Sequence, residues 1–340
     1  MLTINRITMA KKALLIGINK YPGTNKLSYC VNDCKALAKI LERNDDKDKS
    51  RNFEVLQIPD CPNSRIALTS IKELFEDKNV DTALFYFSGH GYIDANNNGG
   101  IVFPDNIDPD SIYYGIRMDD IMQVVAKSPI KNKIIILDCC KSGSIAVGQD
   151  NVAYLPEGCT ILTSSRADQN SVESSEKSHG IFTDLLLQAL SGEAADDLGN
   201  ITVGGIYAYI DRSLGLWGQR PIFKTNISYF ESIRNVTPRL ELARMKEGLE
   251  LFPEVDYKYP LTPENNCSTY DNREEARTKN QKCINFQMLQ DLQKIGFVEP
   301  SMEELPEGKR FMYYAAILSK SCRLTKIGKY YWKLYKNGRI

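Results

Sequence analysis

The chain has 340 residues, 42% hydrophobic and 25% charged, which suits an ordinary folded core and allows two domains or one domain with an appendage. Lys plus Arg and Asp plus Glu both total 43, so no whole-chain attraction to nucleic acid or an anionic membrane is implied. No run approaches the roughly 18 apolar residues of a bilayer span, no signal-peptide core opens the chain, and nine cysteines without a CxxC pair point to a reduced, cytoplasmic protein rather than a disulfide framework or zinc site.

Strand and helix signals alternate over the first 225 residues. "ALLIGI" (13–18) is an apolar run of strand length, and Val31, Cys34, Leu37, Ala38 and Leu41 recur at helical spacing. "FEVLQI" (53–58) reads as a strand and 64–77 as an amphipathic helix with Ser64 at its N-cap. "TALFYFSG" (82–89) is a second buried strand, 118–127 a helix, "KIIILDC" (133–139) a third buried strand and "CTILTSS" (159–165) a fourth. A helix follows over 181–192, with Gly192 at its end. Buried strands alternating with helices predict an α/β fold with a doubly wound, mostly parallel sheet.

Past residue 230 the pattern changes. Residues 238–252 look helical, 253–282 read as a polar linker or exposed loop, and a compact segment follows. The expected organisation is one domain over 1–230, a helix and linker over 231–282, and a small α+β module over 283–340. Residues 320–340 carry seven basic and no acidic side chains. Lys326, Lys329, Lys333 and Lys336 recur along one helical face, with Ile327, Tyr331 and Leu334 on another. A solvated amphipathic helix is the plain reading. An anion site for nucleic acid, a phosphorylated messenger or an acidic partner is the sharper one.

Two motifs carry chemistry, and both stand at the carboxyl ends of predicted strands, where open α/β sheets keep their sites. "SGHG" (88–91) holds His90 between two glycines, and "DCCKSG" (138–143) holds Cys139 and Cys140. His90 and Cys140 are 50 residues apart. A thiolate with an imidazole partner can open an amide through a thioacyl intermediate, and backbone N–H groups of Gly91 and Cys140 could hold the oxyanion. Strand alternation turns Cys139 to the opposite face, as a core residue. His179, in "EKSHGIF", reads as a loop residue before a helix, without a catalytic role.

"LFYFSGHG" and "DCCKSG" resemble the His and Cys motifs of the caspase-like (clan CD, C14) cysteine peptidases, in the metacaspase and bacterial caspase-homologue branch. The resemblance spans about residues 11–225 and takes in "ALLIGINKYPG", "LSYCVNDC", "SSRADQNSVE", "HGIFTDLLLQAL" and "GQRPIF". It implies a caspase-like sheet flanked by helices, with Cys140 as nucleophile and His90 as its partner. It further implies a substrate pocket built from Cys30, Asp33, Ser88 and Asp138. Two carboxylates would draw Arg or Lys at the residue before the cut, in a protein or peptide substrate.

The branch often needs calcium. Asp119 and Asp120 match its paired acids, but the other expected acids are missing, so no cofactor is expected for the chemistry itself. Relatives that fuse a peptidase to a sensor or adaptor imply a regulated effector in antiphage defence or cell death, released by a second messenger or an upstream sensor. "RLTKIGKYYWKLY" (323–335) is weakly similar to the end of a winged-helix module. The alternative is a catalytically silent caspase-like scaffold that recruits partners through the C-terminal module. A nucleotide-binding enzyme is disfavoured, since neither GxGxxG nor GxxxxGK[ST] is present.

Overall fold

The computed structural model describes residues 10–22, 26–93, 99–106, 115–139, 155–164, 179–214 and 220–340. These divide into two compact units, 1–237 and 238–340.

In the first unit the elements run β1 (Lys11–Gly17), α1 (Cys30–Leu41), β2 (Phe53–Pro59), α2 (Ser64–Glu76), β3 (Thr82–Gly89), β4 (Gly91–Ile93), β5 (Gly99–Ile101) and β6 (Ile116–Arg117). They continue with α3 (Met118–Lys127), β7 (Asn132–Cys139), β8 (Cys159–Thr163), α4 (Ile181–Gln188), β9 (Asn200–Thr202), α5 (Val203–Ser213), β10 (Ile222–Asn226) and β11 (Ser232–Asn235). Six strands form the central sheet in the order β10-β8-β7-β3-β1-β2. All pair in parallel except β10, which is antiparallel to β8.

The near-continuous apolar runs of β3 and β7 follow from burial on both faces. Ala83, Phe85, Phe87, Ile135, Leu137 and Cys139 join α2 and α3 in one core. Leu84, Tyr86, Ile134 and Ile136 join α1, α4 and α5 in the other. Cys139 therefore packs in the core, as its strand parity predicts. Alternation carries that parity to the strand ends, so Ser88 and Asp138 continue the α1/α4 side.

Helix α1 lies very close to β1. A Cβ at Gly17 would stand 2.2 Å from the Cys30 carbonyl oxygen and 2.7 Å from Cys34 Sγ. Gly17→Ala must push α1 off the sheet and is expected to cost about 1–3 kcal/mol of unfolding free energy, read by urea denaturation.

Two details differ from the sequence reading. The α2 cap is Asn63, whose side chain accepts from the Ile66 N–H at 2.9 Å, and Ser64 is the first helical residue. Helix α4 ends as an α-helix at Gln188 and continues as a wider turn through Ala189–Glu193, where Gly192 takes φ 132°.

Of the helix and linker expected over 231–282, the first residues form β11, paired with β9, the helix lies within the expected 238–252, and the polar stretch over 253–282 is not a linker but folds with the second unit. That unit contains α6 (Leu242–Glu250), β12 (Tyr259–Pro260), α7 (Arg273–Lys279), α8 (Gln281–Lys294), β13 (Val298–Pro300), α9 (Met312–Ile317), β14 (Ser321–Leu324) and α10 (Lys326–Lys336). A three-stranded antiparallel sheet runs β12-β14-β13. The polarity of 253–282 is capping chemistry: Asn266, Asn272 and Asn280 each accept a backbone N–H at the start of a helical turn. On α10, Lys329 pairs with Asp256, and Trp332 donates to the Phe252 carbonyl at 2.7 Å. Lys326, Lys333 and Lys336 are exposed, as is Ile327, while Tyr331 stacks on Phe297.

Candidate active site

The parallel ladder between β3 and β7 ends with Ser88 opposite Asp138 and Gly89 opposite Cys139. The next residues in sequence are His90, two after Ser88, and Cys140. Cys140, and with it the second expected oxyanion donor, lies outside the described residues. The eight described cysteines are all buried. Burial pushes the Cys159 thiol up to about 12, and Cys34 is raised by burial and then by Asp33.

His90 is held by Tyr21. The His90 N–H donates to the Tyr21 hydroxyl at 3.0 Å, that hydroxyl donates to the Val102 carbonyl at 3.2 Å, and the Val102 N–H donates back to the His90 carbonyl at 2.9 Å. One phenol oxygen thus replaces a direct bond at the start of the β4–β5 pairing. The two rings sit 4.5 Å apart at 56°. Gly89 makes room for the phenol, since a Cβ there would meet it at 2.5 Å. Gly91 follows opposite Ile101. Antiparallel pairs alternate, and His90–Val102 is a bonded one, so the Gly91 N–H points away from β5. Burial raises the Tyr21 phenol far above its ordinary value, so it keeps its proton.

A second cluster occupies the α1/α4 side. Asp33, in the first turn of α1, is only 2% exposed. Its Oδ2 accepts from Ser88 Oγ at 3.4 Å, and its Oδ1 lies 2.8 Å from His179 Nδ1. Asp138 accepts from Thr183 Oγ1 at 2.7 Å, and the Tyr86 phenol, 2.6 Å away, donates to Thr183 in turn. Burial raises the Tyr86 phenol, with Asp138 and Asp33 adding to it. The two carboxylates converge on Gly180: a carbon placed there would lie 3.4 Å from Asp138 Oδ2 and 3.8 Å from Asp33 Oδ2. Of the expected pocket residues, Asp33, Ser88 and Asp138 are brought together here, and Cys30 is buried at the start of α1.

Gly180, Thr183, Tyr86 and Tyr21 were not singled out by sequence reasoning, and His179 was read there only as a loop residue without a catalytic role. Their signals were present in "HGIFT", "LFYFSG" and "INKYPG", but only folding assigns them partners. Asp119 and Asp120 stand exposed in the first turn of α3, and Asp119 is paired with Arg117 at 2.9 Å. Among the described residues no group of three or more acidic, His or Cys side chains could hold a metal, whereas calcium takes six to eight oxygen ligands. No described helix is long and apolar enough to cross a membrane.

Comparison with known proteins agrees with this architecture. The family model of the caspase domain, peptidase C14, matches residues 10–225. Metacaspase-1A of Aspergillus terreus is 30% identical over 157 residues, 41% of this chain and 38% of that protein. Metacaspase-1B of Aspergillus niger is 31% identical over 153 residues, 40% of this chain and 34% of that protein. The matched stretch therefore spans little more than a third of either relative. Among solved structures, caspase-1 of Spodoptera frugiperda has the same fold, with a TM-score of 0.50 at 13% identity, covering 67% of this chain and 91% of that one. With a mostly parallel sheet in which β3 and β7 end side by side at Gly89 and Cys139, and a family model matched over most of its length, the chain belongs to the caspase-domain family of cysteine peptidases.

Proposed function

We propose that the protein is a cysteine endopeptidase that cuts after arginine or lysine, with Cys140 as nucleophile and His90 as proton carrier. The observation that carries the specificity is the convergence of Asp33 and Asp138 on Gly180, one strand end away from His90. A guanidinium or ammonium bound there would set the next peptide bond over the paired ends of β3 and β7. The Cys140 thiolate attacks the carbonyl carbon, forming the C–S bond and an oxyanion within reach of the outward-pointing Gly91 N–H. Protonated His90 gives its proton to the leaving amine as the C–N bond breaks. Water, deprotonated by the same imidazole, then releases the acid and the thiol.

A positional scan of fluorogenic peptides, with and without calcium, tests this reading. Cleavage confined to peptides with Arg or Lys before the cut is expected, and cleavage only after Asp would overturn it. A peptide electrophile ending in arginine should label Cys140 alone, because the other eight thiols are buried. No cleavage and no selective labelling would favour the scaffold reading.

Tyr21→Phe tests how His90 is held. Losing the hydroxyl strands the His90 N–H and the Val102 carbonyl, at about 1–3 kcal/mol of stability. Turnover is expected to fall about tenfold with KM unchanged, because the acidic pocket lies on the other side of the sheet. A change confined to KM would assign Tyr21 to substrate binding.

A further inference from the structure

Asp33 is the deeper acid of the pocket, and one of its oxygens is already engaged from the rim. His179 immediately precedes Gly180, the residue on which both carboxylates converge. Its side chain is 25% exposed, whereas that of Asp33 is 2% exposed. The imidazole therefore reaches inward from the solvent side to Asp33 Oδ1, at 2.8 Å. A carboxylate only accepts, so Nδ1 must carry the proton in this contact. The remaining oxygen, Oδ2, faces Ser88 and the Gly180 spot. His179 thus makes the contact that an incoming guanidinium would need to hold both acids at once.

We infer that His179 is an internal occupant of the acidic pocket, an imidazole that a guanidinium displaces from Asp33 on binding. The inference rests on the proposed acidic specificity pocket and adds to it a residue that sets the pocket's affinity. With His179 in place, a cation gains Asp33 only by exchanging one charge-assisted hydrogen bond for another. Arginine suits that exchange because its planar fork presents five donors and can bridge two acids. His179 thereby weakens binding of any guanidinium and keeps the pocket from being held by free basic metabolites or by the peptidase's own products. Asp138 is held by Thr183, itself bonded to Tyr86, so displacement of His179 leaves the second acid its own support.

Agmatine, a guanidinium without a scissile bond, separates binding from chemistry. The chain has two histidines, so imidazole NMR on the intact protein reads each ring, and His179→Gln assigns the signals. Saturating agmatine is expected to remove the hydrogen-bonded Nδ1–H signal of His179. His179→Ala is expected to bind agmatine about tenfold more tightly than the native chain, the worth of a typical charge-assisted bond. A His179 signal that persists at saturation, or a His179→Ala variant that binds no more tightly, would overturn the inference while leaving the pocket intact. Should agmatine bind neither protein, the acidic-pocket reading fails as well, and with it the role given to His179. The NMR readout on native protein holds even if His179→Ala fails to fold.

Discussion

Replacing either His90 or Cys140 by alanine is expected to lower kcat/KM on an arginyl peptide by about a thousandfold or more, and the double variant should be no worse than the poorer single one. The two side chains act as one unit. Without the thiol no thioacyl intermediate forms, and without the imidazole the amine leaves unprotonated. The β3–β7 pairing supports this assignment, since it runs in register to the residues just before each of them. Steady-state kinetics on the four proteins would check it. Near-native turnover in His90→Ala, beside a dead Cys140→Ala, would mean that another group moves the proton. The same comparison bears on Gly91, because any rate left in the double variant reports backbone oxyanion stabilisation and binding alone.

The second large effect concerns the acids. Asp33→Asn and Asp138→Asn keep shape while removing charge, and each is expected to reduce kcat/KM on arginyl peptides by roughly 10- to 100-fold, the range for a hydrogen bond to a charged group. The loss should fall mainly in KM, because the acids lie beside the substrate's side chain rather than the bond that breaks. Alkylation of Cys140 by iodoacetamide, which carries no basic group, should proceed at the native rate in both variants. A fall in both measurements together would show that the substitutions disturb the nucleophile and not the pocket. Unchanged cleavage in both would remove Asp33 and Asp138 from substrate recognition. The effect of Asp33→Asn should be the smaller, since part of that carboxylate's binding capacity is already taken by His179.

Much of the scaffold was legible before any coordinates. β3, α3 and β7 fall within a residue of where periodicity puts them, because a strand buried on both faces must be continuously apolar and a short amphipathic helix must repeat near 3.6 residues. The polar stretch over 253–282 was misread for a physical reason: Asn and Thr are equally at home in loops and at helix starts, and composition alone does not separate the two. The α2 cap shows the same ambiguity on a smaller scale, with Asn63 and Ser64 adjacent and equally suited.

The motifs around His90 and Cys140 carry their meaning locally, through a strand that stops, a glycine-flanked imidazole and a thiol beside an acid. Local order in the chain is enough to record that. The partners of these groups are set by distance in space. His179 meets Asp33 across 146 residues, and Tyr21 meets the His90 N–H across 69. By itself the sequence determined the family, the strand tips and the kind of chemistry they can host. Only the tertiary structure decided which donors sit on each acid, because hydrogen-bond partners depend on how α1 and α4 pack against one face of the sheet, and no short-range pattern encodes that packing.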